Sequence, residues 1–392
     1  MSDKIKVLVV DDSAIVRKIL SETIDAESDM EVVGTAPDPY VARDKIVALR
    51  PDVLTLDIEM PRMDGITFLK RVMKHCPTPT IIISSLGQAS CAATFEALRC
   101  GAVEVMAKPN GPYSVGDLRY SLASKIRAAA LSKSKLSKLM PSAHLAHKTN
   151  EAAPASPPAP VHGSSPAPAR VAAAHAPAAV APVLVPVVMK FPRRPETVIA
   201  IGASTGGTVA IQELLLRLPA DMPGIVITQH IPEGFSQMFA KRLNSLCQLE
   251  IKEAVSGDQV RPGQVLIAPG NYHMLVRRNG GVYSVELTQG PQVCYQRPSV
   301  DVMFASVAQA AGSNAVGVLL TGMGSDGAKG MLALKRAGAP TIAQDEESCV
   351  VYGMPREAVR LGAVDTVASL LDIPKAIVDS LQRPPMSIAR AV

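Results

Sequence analysis

The chain has 392 residues, more than one compact core usually holds, so two domains are the expectation. Hydrophobic residues make up 47% and aromatics 3%, with no tryptophan, so the cores must be built from Ala, Val, Ile and Leu. A formal net charge of +5 without interleaved aromatics argues against a nucleic-acid binder, and no apolar run approaches the roughly 18 residues that a membrane span needs.

The first apolar run begins almost at the N-terminus, which leaves no room for a signal peptide and points to the cytoplasm. Strand-like runs at 6–10, 31–35, 53–56, 80–83 and 103–106 alternate with helical patterns at 13–24, 41–49, 66–75, 90–100 and 118–130. Continuous apolar strands separated by helices imply a parallel sheet covered on both faces. Residues 1–130 are therefore expected to form a doubly wound, five-stranded α/β domain. The six cysteines (Cys76, Cys91, Cys100, Cys247, Cys294 and Cys349) occur singly, as expected for buried free thiols in a reducing compartment.

Functional groups of such a sheet gather at the carboxyl ends of its strands. Those ends carry Asp11 and Asp12, then Asp57, then Ser84, then Lys108. Three converging carboxylates call for a cation, and hard oxygen donors suit Mg²⁺. Asp57 could then attack a phosphoryl donor, with Lys108 offsetting charge and Ser84 hydrogen-bonding a phosphoryl oxygen. Any one aspartate could be a turn or cap residue, but that does not explain the lysine and the hydroxyl. Val9-Val10-Asp11-Asp12, Asp57-Ile58-Glu59-Met60-Pro61 with Asp64-Gly65, Ser84 and Lys108-Pro109 together resemble the receiver domain of two-component response regulators, a flavodoxin-like fold. The resemblance implies phosphorylation of Asp57 by a histidine kinase, Mg²⁺ near Asp11, Asp12 and Asp57, and a cis Lys108–Pro109 bond.

From about residue 141 to 191 the sequence is dominated by Ala, Pro, Ser and Val. Such a stretch cannot bury enough apolar surface to offset its ordering entropy, so 131–192 reads as a flexible linker. His144, His147, His162 and His175 fall in it without metal-ligand spacing.

Beyond it, strand-like runs at 198–201, 225–228, 265–268 and 315–320 alternate with helical patterns at 209–218, 235–246, 300–311 and 328–337. Short alternating runs between 250 and 287 suggest antiparallel additions, hence a mixed but mainly parallel sheet in an α/β domain over 193–382. Gly202-Ala203-Ser204-Thr205-Gly206 fits G-x-S-x-G at a strand-to-helix turn, which exposes a serine hydroxyl beside backbone N–H groups. A phosphate-binding loop is the rival, but no Gly-Lys-Ser/Thr follows. A serine nucleophile needs a base and an orienting acid. Strand-end placement favours His230 over His273 as the base. Asp326, in a glycine-rich loop after a strand, is favoured as the acid, with Asp301 and Asp258 as alternatives.

Together, Gly202 to Gly207, Gln229-His230-Ile231-Pro232, Ala268-Pro269-Gly270, Arg297-Pro298-Ser299-Val300-Asp301 and Thr321 to Gly327 resemble the protein-glutamate methylesterase domain of bacterial chemotaxis. The resemblance covers about 197–371 and departs from the family at Ile231, where methionine is common, and in the length of the linker. It implies Ser204 as nucleophile, His230 as general base, Asp326 as orienting acid, and backbone oxyanion donors beside the site at Thr205 and Met323, with no cofactor. The implied activity is hydrolysis of glutamate γ-methyl esters on methyl-accepting chemoreceptors and deamidation of receptor glutamines. The implied control is an unphosphorylated receiver packed across the esterase mouth and relieved by a chemotaxis histidine kinase. A response regulator with a non-catalytic DNA- or ligand-binding output is the competing expectation.

Overall fold

A computed structural model describes residues 4–85, 88–108, 114–139 and 196–382. The first domain comprises β1 (Ile5–Val10), α1 (Ala14–Asp25), β2 (Met30–Ala36), α2 (Pro39–Leu49), β3 (Val53–Asp57), α3 (Gly65–His75), β4 (Thr80–Ser84), α4 (Gln88–Arg99), β5 (Glu104–Ala107) and α5 (Ser114–Leu139). Its strands pair in parallel in the order β2-β1-β3-β4-β5. This is the flavodoxin-like doubly wound order, whose crevice lies between β1 and β3.

The apolar strands bury both faces. Leu8, Val10, Leu54, Leu56 and Ile82 pack against Ile46, Phe68, Leu69 and Phe95. Their neighbours Val7, Val9, Val53 and Ile81 pack against Leu20, Ile24, Leu122 and Ile126. Helix starts carry side-chain caps: Ser13 accepts from the Val16 N–H, Asp38 from those of Tyr40 and Val41, and Asp64 from that of Thr67. Helix α5 runs to Leu139, nine residues past the boundary expected at 130, and Lys133 ties it to Asp52 at 2.5 Å. The rest of the expected linker lies outside the described residues, as do Pro109 and the four linker histidines.

The second domain comprises β6 (Val198–Ala203), α6 (Gly207–Leu215), β7 (Gly224–Gln229), α7 (Phe235–Leu246), β8 (Glu250–Glu253), β9 (Gln264–Ile267), β10 (His273–Asn279), β11 (Val282–Thr288), α8 (Val300–Ala311), β12 (Ala315–Leu319), α9 (Ala328–Arg336), β13 (Thr341–Gln344), α10 (Met354–Arg360), β14 (Thr366–Ala368) and α11 (Ile373–Gln382). Seven strands form one sheet in the order β14-β13-β12-β6-β7-β9-β8, and every pairing in it is parallel. The expected antiparallel additions to this sheet are not there. Strand β8 joins it in parallel, and β10 and β11 form a separate antiparallel ribbon, with a single antiparallel bridge from Ser284 of β11 to Gln259. That ribbon supplies Met274, Val276 and Val285 to the core on the α8 face. The opposite face packs Ile199, Ile201, Ile225 and Ile227 against Ile211, Leu214, Phe239 and Ile377.

The two domains share an apolar contact. The Phe95 ring of α4 stacks on Phe239 of α7, with centroids 5.8 Å apart and planes 18° apart, and the Arg242 guanidinium lies 5.8 Å above Phe95. A small cavity beside this stack is lined by Leu98, Glu104 and Val105 from the first domain and by Thr208, His230 and Pro232 from the second. Among the described cysteines, Cys76 and Cys294 are exposed, contrary to the expectation of burial, while Cys349 is buried. The cis proline bond among the described residues is Arg297–Pro298.

Candidate active site

In the first domain the strand ends converge as the alternation requires. Asp11 and Asp57 are buried at adjacent strands, and Lys108 Nζ reaches Asp57 Oδ2 at 2.7 Å and Asp11 Oδ2 at 3.1 Å. Carboxylate oxygens of Asp11, Asp12 and Asp57 lie within 4.8 Å of one another. Asp57 is pushed up to about 6 by burial, which outweighs the hydrogen bond from Lys108, and the neighbouring Asp11 charge adds to the rise. One lysine thus does not balance these carboxylates, and a set of hard oxygens short of positive charge fits a divalent cation of the Mg²⁺ type. Ser84 is buried at the end of β4, next to this crevice. Gly65 is required for close approach, since a Cβ there would strike the Asp57 carbonyl.

In the second domain the site lies where the strand order reverses, between β12 and β6. Strand β6 runs into Ser204, and Gly206 turns the chain at φ +77° into α6. The Gly207 N–H donates to the Ser204 carbonyl at 2.7 Å and closes the turn. His230 follows β7, the parallel neighbour of β6. Its Nδ1 lies 3.0 Å from Ser204 Oγ, and its Nε2 lies 2.8 Å from Asp326 Oδ2. All three side chains are buried. The Thr205 and Met323 N–H groups have no acceptor among the described residues, so both remain available to a ligand. The Met323 Sδ lies 3.9 Å from Ser124 Oγ of α5, so the first domain reaches this rim.

Asp326 is held by the start of α8. Its Oδ1 accepts from Ser299 Oγ at 2.8 Å and from the N–H groups of Asp301 and Gly327, and its Oδ2 accepts from the Val300 N–H at 2.8 Å. A carboxylate at a helix N-terminus is favoured by the unpaired amides and by the helix dipole. Burial alone would raise Asp326. The His230 hydrogen bond and charge and the Asp301 and Val300 amides outweigh it and hold the carboxyl below its usual value.

The rejected alternatives have other partners. His273 Nδ1 accepts the Ser299 N–H at 3.1 Å and its Nε2 donates to the Pro291 carbonyl at 2.9 Å, so it braces the same loop without reaching Ser204. Asp301 accepts the Gly330 N–H at 2.7 Å, and Asp258 pairs with Lys252 at 2.7 Å. Sequence reasoning missed Ser299 as a partner of the acid, although Ser299 two residues ahead of an acidic first helical turn is an N-cap signal. It also missed Gln229 as more than a motif letter.

Two family models match the chain: a response regulator receiver domain over residues 7–116 and a CheB methylesterase over 199–377. A protein-glutamate methylesterase/protein-glutamine glutaminase of Syntrophus aciditrophicus is 51% identical over 96% of this chain and 98% of its own. One from Anaeromyxobacter dehalogenans is 51% identical over 92% of this chain and 91% of its own. The crystal structure of the Thermotoga maritima CheB methylesterase catalytic domain, 38% identical, covers 47% of this chain and 97% of that one with a TM-score of 0.46. Whole-length identity at this level, with both domain models in the same order, shows that the chain belongs to the CheB family of protein-glutamate methylesterases/protein-glutamine glutaminases.

Proposed function

We propose that this chain is a phosphorylation-activated hydrolase of chemotactic adaptation, removing methyl groups from glutamate γ-methyl esters of chemoreceptors and deamidating receptor glutamines. The observation that carries the reading is the continuous line from Ser204 Oγ through the His230 imidazole to Asp326 at the carboxyl ends of the central strands of one parallel sheet. Ser204 attacks the acyl carbon, and His230 Nδ1 takes its proton. The Nε2–H of the resulting imidazolium stays on Asp326, whose charge stabilises it. The Thr205 and Met323 amides receive the oxyanion. His230 returns the proton to the departing methanol or ammonia, and then activates the water that releases the glutamate from Ser204.

The receiver-side reading is that Asp57 is phosphorylated by a chemotaxis histidine kinase, with Ser84 and Lys108 supporting the phosphoryl group. Asp11, Asp12 and Asp57 would hold Mg²⁺, which supplies charge neutralisation for the incoming phosphoryl oxygens. The contact of α4, β5 and α5 with the His230 and Met323 surroundings supports a receiver that masks the esterase until phosphorylation adds charge of about −1.5 to −2 at Asp57. We assign the receiver to 1–130, the linker to 131–192 and the catalytic domain to 193–382, with α5 carrying helix into the linker. No described helix is long and apolar enough to cross a membrane.

The test is methanol release from methylated receptor, with and without a small phosphodonor. Wild type should be stimulated by the phosphodonor, and Ser204→Ala should lose on the order of 10⁴-fold or more in either condition. Retention of esterase activity by Ser204→Ala would end this assignment.

A further inference from the structure

Gln229 closes β7, one residue ahead of His230, and is buried. Its Nε2 donates to the Ser204 carbonyl at 2.9 Å and to the His230 carbonyl at 3.1 Å. One amide group thus commits both its protons to the main chain of the two residues read as nucleophile and base. The Ser204 carbonyl accepts the Gly207 N–H as well, so its hydrogen-bonding capacity is filled from two sides.

The other end of the same amide is left uncompensated. Gln229 Oε1 is buried without a hydrogen-bond partner among the described residues. It packs against Gly207, where a Cβ would collide with it, so the absence of a side chain at Gly207 makes room for Gln229. An apolar residue of similar shape would avoid that orphaned acceptor, so what the amide contributes here lies in the two bonds of its nitrogen.

A peptide group is planar and trans, so a carbonyl and the N–H that follows it point in opposite directions. Holding the Ser204 carbonyl inward on Gln229 turns the Thr205 N–H outward, and that N–H has no protein acceptor among the described residues. We propose that Gln229 is a positioning residue that aims the Thr205 oxyanion donor and fixes the His230 main chain through a single side chain. The proposal rests on the reading of Ser204 and His230 given above.

The test uses the full chain, activated with a phosphodonor, in wild-type, Gln229→Met and Gln229→Glu forms. Met keeps length without a donor, and Glu keeps shape but cannot donate to both carbonyls. Reactive serines are titrated with a fluorophosphonate, so that p-nitrophenyl acetate hydrolysis is expressed per competent site. Both variants should lose kcat on the order of 10²-fold, with KM within about threefold of wild type. Binding of a phenylboronic acid, which forms a tetrahedral adduct with a serine, should weaken by the same factor as kcat/KM. A residue that merely supports the fold would lower the titratable fraction and leave the rate per site and the boronate affinity alone. Wild-type kcat in a folded variant, a loss confined to KM, or failure of both variants to give titratable protein each overturns the proposal. Activity surviving in Ser204→Ala overturns instead the reading of the site on which it rests.

Discussion

Replacing Phe95 by alanine should switch the unphosphorylated enzyme partly on. Phe95 contributes to the closed arrangement through its stack on Phe239 and the Arg242 guanidinium above it. An aromatic pair is worth about 0.5–1.5 kcal/mol beyond its area, and a cation–π contact about 0.5–1 kcal/mol. Part of the burial of Phe95 belongs to its own domain and is kept when the domains separate. Counting the two specific terms alone gives about 2 kcal/mol, and at 1.4 kcal/mol per decade the closed-to-open ratio falls roughly 30-fold. Hydrolysis of p-nitrophenyl acetate without phosphodonor should therefore rise by up to about 30-fold, capped by the phosphorylated rate, which itself should not move. Phe239→Ala removes the stack but leaves the Arg242 contact, so it should give a smaller rise of about fivefold, and the double variant should add little to Phe95→Ala. An unchanged basal rate in a folded Phe95→Ala protein whose phosphorylated rate is intact would refute the reasoning.

Removing divalent cations with a chelator should abolish stimulation by the phosphodonor and leave unstimulated hydrolysis unchanged, because the carboxylate cluster and the serine site are separate; the same rate assay, with and without added Mg²⁺, reads both effects. The depressed Asp326 carboxyl makes a stability prediction. A folded-state value below the unfolded one, near 3.9, contributes stability that is fully present above about pH 4 and is lost as the pH falls through the folded value. Asp326→Asn should flatten the acid limb of a urea-midpoint profile below about pH 4, while kcat at neutral pH falls on the order of 10⁴-fold because an amide cannot hold the correct tautomer. A steep acid limb persisting in that variant would assign it to other carboxylates.

Both sites were legible because parallel sheets place function at predictable points. Asp11, Asp57, Ser84, Lys108, Ser204 and His230 all stand at or just beyond strand ends that apolar runs reveal. What was not legible depends on partners far away in the chain. Asp326 and Ser299 are 27 residues apart, and nothing local in either indicates that the start of α8 cradles the acid. Gln229 reads as an ordinary polar strand end until its two carbonyl partners are seen. The antiparallel pairing expected within 250–287 is present between β10 and β11 but stands outside the main sheet, for a related reason. Alternation reports one buried face but not which neighbour a strand chooses, and β8 lies parallel beside β9 at the sheet edge while β10 and β11 turn away. Short elements such as β13 and β14 escaped because three or four residues carry too little periodicity.

The imidazole of His230 presents Nδ1, not Nε2, to the serine. Nδ1 is the ring nitrogen nearer the main chain, so the proton leaves Ser204 on the backbone side of the ring while the far nitrogen is sealed against the carboxylate. An electrophile aimed at Nε2 would find that atom held against the Asp326 carboxylate. A covalent probe for this site needs a warhead that approaches the ring from its Nδ1 side.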